Sequence, residues 1–280
     1  MPKSDILAYL DGGATGPLTP QTIPFDAAGL SRQIQGFEGY EAIAFAGETV
    51  FLTVEAQTPA GMRGYLVSGE MGQDGQGVLL ETAVLPEILP QTNIDNMTDE
   101  ALLVVGDNLL TFYEANGQTV NQSPMAHRFT LDLQEVESIL FPALPFRVTD
   151  ATEVDENGRF WVINYYYPGD KKLQTDGDGM ALPEAAGATH LLYEQVERLV
   201  ELQLDGDALS LTDTPPLYLQ LPDENARNWE GIVRLDGRGF LLVTDKFPET
   251  MFAFVPLAAV SIAGTQSLLT SSRPVLSLPA

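Results

Sequence analysis

The sequence predicts an all-β fold, a β-propeller of four-stranded antiparallel blades, built as a single domain over residues 1–280. Three observations predict it. Short β-type runs recur between turn residues, one layout of acidic and apolar residues appears four times, and sustained helical periodicity is nearly absent.

The β-type runs include Thr49 to Val54, Phe160 to Tyr167, Leu199 to Leu204 and Gly239 to Thr244. Pairs such as Asn157-Gly158 and Asp205-Gly206 supply the positive-φ residues that tight hairpins need. The best helical pattern is Ala185 to Arg198, where Leu192, Val196 and Leu199 share a face, which predicts at most one short helix.

The repeat is the stronger signal. Each copy has an acidic residue, a short apolar run, a turn, a second apolar run and a closing polar residue. The copies run from Glu41 to Glu55, Glu100 to Glu114, Asp150 to Asn164 and Glu230 to Asp245, with marker spacings of 14, 14, 14 and 15. Each reads as a β-hairpin. The second continues through His127 to Leu133 and Val136 to Leu140, the third through Leu199 to Leu204 and Ala208 to Leu211. Four antiparallel strands make a propeller blade.

Ile6 to Leu10 and Leu18 to Phe25 are further strand candidates, expected to pair with Pro274 to Leu278 and close the ring. Five blades are expected, with a sixth possible near Glu197 to Asp213. Gly169 to Gly187, rich in Gly, Asp and Pro, reads as an inserted loop over one face.

In a propeller the first strand of each blade lines the channel and the second runs back beside it. Glu41, Glu100, Asp150 and Glu230 therefore point toward one channel mouth, with Glu55, Glu114, Asn164 and Asp245 close behind. Carboxylates so close raise one another's pKa unless a counter-charge intervenes. Arg147, Arg227 and Lys246 are the basic residues in position to supply one. Oxygen-only ligands suit a hard ion, so the sequence predicts bound calcium, Ca2+. The competing expectation is that each acid accepts backbone N–H bonds within its own blade.

Composition excludes other functions. With 14 Lys and Arg against 39 Asp and Glu, the net charge of −25 repels nucleic acid and anionic membrane faces. There is no cysteine, hence no disulfide, thiolate catalysis or Cys-ligated zinc. No apolar stretch is long enough to span a bilayer as a helix; Met251 to Val260 is the longest. The opening Met-Pro-Lys-Ser-Asp lacks a signal-peptide layout, so either the protein is cytoplasmic or a leader was removed; a secreted or periplasmic location is the one expected here.

His127 falls on a third strand and reads as a partly buried structural residue, whereas His190 follows the insertion, within reach of a mouth. No Gly-x-Ser-x-Gly elbow and no phosphate-cradling glycine loop occur. Tyr165-Tyr166-Tyr167 beside Asn164, and Trp229 beside Glu230, are either pocket walls or ordinary strand residues.

Gly36-Phe37-Glu38-Gly39 leading into Glu41, and Asn228-Trp229-Glu230-Gly231-Ile232 with Asp236 to Asp245, resemble the esterase-like phytase family of propellers. More distantly they resemble the calcium-dependent propellers of the gluconolactonase and paraoxonase group. The resemblance implies a channel-facing Glu that binds a divalent metal, a role that falls on Glu230 and Glu41, then Glu100 and Asp150. The chain departs from a phytase in having few basic residues to hold a polyphosphate. Two functions follow: a Ca2+-binding propeller for a small ligand or protein partner, or a Ca2+-dependent hydrolase of an ester, lactone or phosphoester. In the hydrolase, Glu230 or Asp245 would be the base.

Overall fold

In a computed structural model the chain is nearly all β, with four small antiparallel sheets in a propeller arrangement. The structure describes residues 1–14, 16–72, 75–173, 187–245, 249–257 and 276–277. The first sheet holds β1 (Phe25–Asp26), β2 (Phe37–Ala46), β3 (Thr49–Thr58), β4 (Gly61–Met71), β5 (Val78–Glu81) and β6 (Glu87–Ile88). The second holds β7 (Asp99–Val105), β8 (Asn108–Tyr113), β9 (Met125–Thr130) and β10 (Glu135–Leu140). The third holds β11 (Arg147–Ala151), β12 (Arg159–Tyr166), β13 (Val196–Asp205), β14 (Ala208–Leu211) and β15 (Leu217–Tyr218). The fourth holds β16 (Trp229–Arg234), β17 (Gly239–Thr244), β18 (Met251–Pro256) and β19 (Leu276–Ser277).

Each of the four sequence repeats is the first hairpin of one sheet. The first strands pack in series, β2 on β7, β7 on β11 and β11 on β16. Alternating strand residues then fill three inter-sheet cores. Phe51, Leu66, Leu102 and Phe129 pack between the first and second sheets. Phe112 stacks on Phe160, ring centroids 5.6 Å apart, between the second and third. Trp161 meets Phe240 between the third and fourth, with Trp229 fully buried beside them.

Four described sheets replace the five blades expected, and the difference lies at the termini. Ile6 to Leu10 is not a strand but part of α1 (Lys3–Leu10), whose Ile6 packs on Leu235 and Leu241 of the fourth sheet. Lys3 and Asp11 pair with Asp236 and Arg238 in the β16–β17 turn. Of Leu18 to Phe25 only Phe25 is in a strand, β1, which runs parallel to β5. The one-turn helix α2 (Leu30–Gln33) then buries Leu30 and Ile34 against Val50 and Val67 of the first sheet. The C-terminal Leu276–Ser277 pairs with β18, not with the N-terminal segment. The outer faces of the first and last sheets are thus covered by N-terminal segments. Glu197 to Asp213, the candidate for a sixth blade, is β13 and β14 of the third sheet.

No helix forms at Leu192 to Arg198. A single 3-10 turn at Ala188–Leu191 precedes β13, and the apolar spacing there belongs to a strand buried on both faces. Most of the Gly169 to Gly187 insertion, residues 174–186, lies outside the described residues, as does Lys246.

Gly36 shows what the short glycine motif does. It sits at φ +76°, and a Cβ there would stand 2.0 Å from the Gln57 carbonyl oxygen. That oxygen's residue is tied to Gly36 by a 2.8 Å Gln57 N–H to Gly36 O bond. Gly36→Ala is therefore expected to lower stability by more than about 1 kcal/mol, read as a lower urea midpoint. An unchanged midpoint would show that the β2–β3 entry is not constrained there.

Candidate functional site

The four first markers share one structural position. In every inner hairpin the pairing register slips at the marker acid. Glu41 lies between the pairs Tyr40↔Val54 and Ile43↔Leu52, and Glu100 between Asp99↔Tyr113 and Ala101↔Phe112. Asp150 lies between Val148↔Asn164 and Ala151↔Val162, and Glu230 between Trp229↔Thr244 and Gly231↔Val243. A bulge bends the strand and re-aims the extra side chain. The second markers are equally equivalent. Glu55 and Asn164 pair with Gly39 and Val148, while the amides of Glu114 and Asp245 donate to the carbonyls of Thr98 and Asn228. In all four copies the second marker faces the residue two before the first, which is why the spacing is so nearly constant.

Six of the eight markers come together electrostatically. Burial, then the charges of Glu230, Glu114 and Asp245, push the Glu41 carboxyl up to about 7. Burial and then Glu41 raise Glu55 to about 7, against a 3.1 Å hydrogen bond from Thr98 Oγ1. Burial and then Asp245 and Glu114 raise Glu230 to about 7. Burial also raises Glu114 to about 7 despite Arg147, and holds Glu100 well above the carboxylate range. Glu41, Glu55, Glu100, Glu114, Glu230 and Asp245 thus form one interacting acidic cluster, the collar.

Two markers stand apart, bonded to partners that neither expectation named. Asp150 Oδ2 accepts the Ile232 amide at 2.7 Å, and Thr149 Oγ1 donates to the Trp229 carbonyl at 2.6 Å, so these side chains clamp the third sheet to the fourth. Burial lifts Asp150 to about 8, with no other acid contributing. Asn164, fully buried, donates to the Pro145 carbonyl at 2.8 Å and accepts from Arg198 Nε at 2.7 Å. It fixes β12 rather than joining the collar.

Counter-charge is scarce. Arg147 pairs with Glu114 and, at 2.6 Å, with Asp170. Arg227 is spent elsewhere: it pairs with Glu197 at 2.7 Å and lies over Trp229. Glu114 is 0% exposed, and its Oε2 has no N–H donor among the described residues; a proton shared with Glu100 is the hydrogen bond that it has. Asp170 and buried Leu173, which packs on Met97 and Tyr113, bring the start of the insertion beside the collar. Sequence reading missed Glu38, whose charge acts on Glu41 and Glu55, although it stands inside the Gly36 to Gly39 motif.

One or two residues past the bulges the inner strands enclose a cavity of about 620 Å³. Its walls include Ile43 and Phe45, Leu102 and Val104, Ile232 and Val233, with Asp150 and Glu153 the only carboxyls. Neither histidine reaches the collar. His190 is buried, edge-on to Tyr218, with Nε2 accepting the Glu197 amide, and half-buried His127 pairs across from Thr111 near Asp99. Tyr165 and Tyr166 are buried in the third sheet, and Tyr167 is exposed.

Chemically the collar is a set of oxygen donors. Among the described residues, no three His, Asp or Glu side chains are placed to hold one metal ion as they stand. Glu41, Glu100 and Glu230 rise from bulges on three separate strands. No helix among the described residues is long and apolar enough to cross a membrane.

No protein-family model matches the chain, and no curated protein matches it. Among solved structures it is similar to Pyrococcus horikoshii acylaminoacyl peptidase, at 8% identity and TM-score 0.34 over 84% of this chain. The chain spans about a third, 34%, of that protein's length. It is also similar to the catalytic domain of a Coprinopsis cinerea GH62 alpha-L-arabinofuranosidase, at 8% identity and TM-score 0.32, covering 84% of this chain and 88% of that one.

Proposed function

We propose that the protein is a cation-binding propeller whose collar takes a hard divalent ion, Ca2+, in the service of binding a small ligand or a partner. The observation that supports this most is the convergence of Glu41, Glu55, Glu100, Glu114, Glu230 and Asp245 on one mouth, opposed by Arg147 alone among the described residues. Oxygen-only donors, with a Glu114 oxygen that has no N–H donor among the described residues, fit such an ion, and Ca2+ accepts 6–8 oxygens in flexible geometry. The resemblance of the Glu41 and Glu230 motifs to esterase-like phytases points the same way. A secreted or periplasmic location, where calcium is abundant, is proposed with it. Binding is favoured over hydrolysis of a phosphoester, because one guanidinium, the only basic group at the collar among the described residues, is a poor phosphate clamp.

Calcium titration followed by thermal unfolding tests this at pH 8, on wild type and on Glu230→Gln. Ca2+ is expected to raise the wild-type Tm by several degrees and to raise that of the variant much less. No response from either protein would remove the proposal's basis.

A further inference from the structure

We infer that the central cavity binds an organic cation, a primary amine on an apolar body, with its ammonium at the collar and its body between the inner strands. This rests on the collar being a cation site, not on that cation being calcium.

Three observations carry it. The cavity's volume of about 620 Å³ is that of a small-molecule site and far exceeds what an ion fills. Apart from Asp150 and Glu153, its walls are mainly apolar side chains left open: Ile43 is 50% exposed, Phe45 48%, Val233 46% and Val243 36%. Its wall residues Ile43, Leu102 and Gly231 follow the bulges that carry Glu41, Glu100 and Glu230 by one or two positions, so a body seated there has those acids within one or two residues of its wall.

The head group follows from charge. An anion is repelled by the collar, and a neutral group leaves the carboxylates unpaired. Glu114, wholly buried with an oxygen lacking an N–H donor, adds an acceptor to the set. An ammonium offers three diverging N–H donors.

The probe is octylammonium, with octanol and octanoate as neutral and anionic controls, titrated calorimetrically at pH 8 in calcium-free buffer. Octylammonium is expected to bind at least tenfold more tightly than either control. Glu230→Gln should weaken it, and Val233→Trp, which fills the cavity, should weaken it at least tenfold while leaving the calcium response intact. Ile43→Trp on the facing strand repeats the test if Val233→Trp does not fold. Equal binding of octanol or octanoate, or octylammonium binding that survives both tryptophan variants, would overturn the inference. Amine binding without a calcium response would sink the calcium proposal alone; a calcium response without amine binding would sink this inference alone.

Discussion

Replacing Glu197 with alanine is expected to lower stability by about 3–5 kcal/mol, the cost of breaking a buried ion pair from one side. Glu197 is 0% exposed and holds three donors: Arg227 N at 2.9 Å, Arg227 Nε at 2.8 Å and Trp229 Nε1 at 2.7 Å. Its loss leaves the Arg227 guanidinium without a carboxylate, bonded among the described residues only to the Gln220 carbonyl, and takes the acceptor from the indole N–H between the third and fourth sheets. That places the break where Trp229 and Asp150 also join those sheets. Glu197→Gln keeps the shape and one acceptor oxygen and should fall between alanine and wild type. Urea unfolding reads both, as a lower midpoint with the slope retained. An alanine variant with the wild-type midpoint would mean that the inter-sheet junction does not depend on this residue.

The second large effect is pH dependence. Glu41, Glu55, Glu114 and Glu230 have folded-state pKa values pushed up to about 7, from an ordinary value of 4.5. Between pH 4.5 and pH 7 the native collar therefore binds more protons than the unfolded chain. Stability contributed by these groups is full below pH 4.5 and is lost as pH rises through about 7. The net charge of −25 adds self-repulsion of the same sign. Without divalent ions, Tm is expected to fall between pH 5 and pH 8 by on the order of 10 °C, at about 2–4 °C per kcal/mol for a chain this large. The Glu41→Gln, Glu230→Gln double variant should flatten much of that slope. A Tm that rises across this interval would mean that the collar acids are ionised and compensated in the native state.

Much of this was legible in the sequence because the repeat is local. The markers from Glu41 to Asp245 recur within single hairpins, so their spacing records the strand register directly. The bulge at each first marker was not legible, since nothing in the spacing tells an extra residue from an ordinary one. Spacing likewise could not separate Asp150, whose partner Ile232 lies on another sheet, from Glu41, which is surrounded by other acids. Arg147 was correctly placed by its nearness to the third copy, whereas Arg227, equally near Glu230, turns to Glu197 on β13. The N-terminal run was misread because Ile6 to Leu10 is short and apolar, a pattern that a strand and a helix face share. Packing of α1 on Leu235 and Leu241 decides it, and that contact spans nearly the whole chain.

The collar as a cation site is tested most directly by isothermal titration of Ca2+ at pH 7 in two buffers of different ionisation enthalpy. Carboxyls raised to about 7 are partly protonated there, so a bound ion must displace protons. The expected result is saturable binding whose heat differs between the buffers by a net proton release, both lost in Glu230→Gln. Absence of binding, or binding with no proton release, would contradict it.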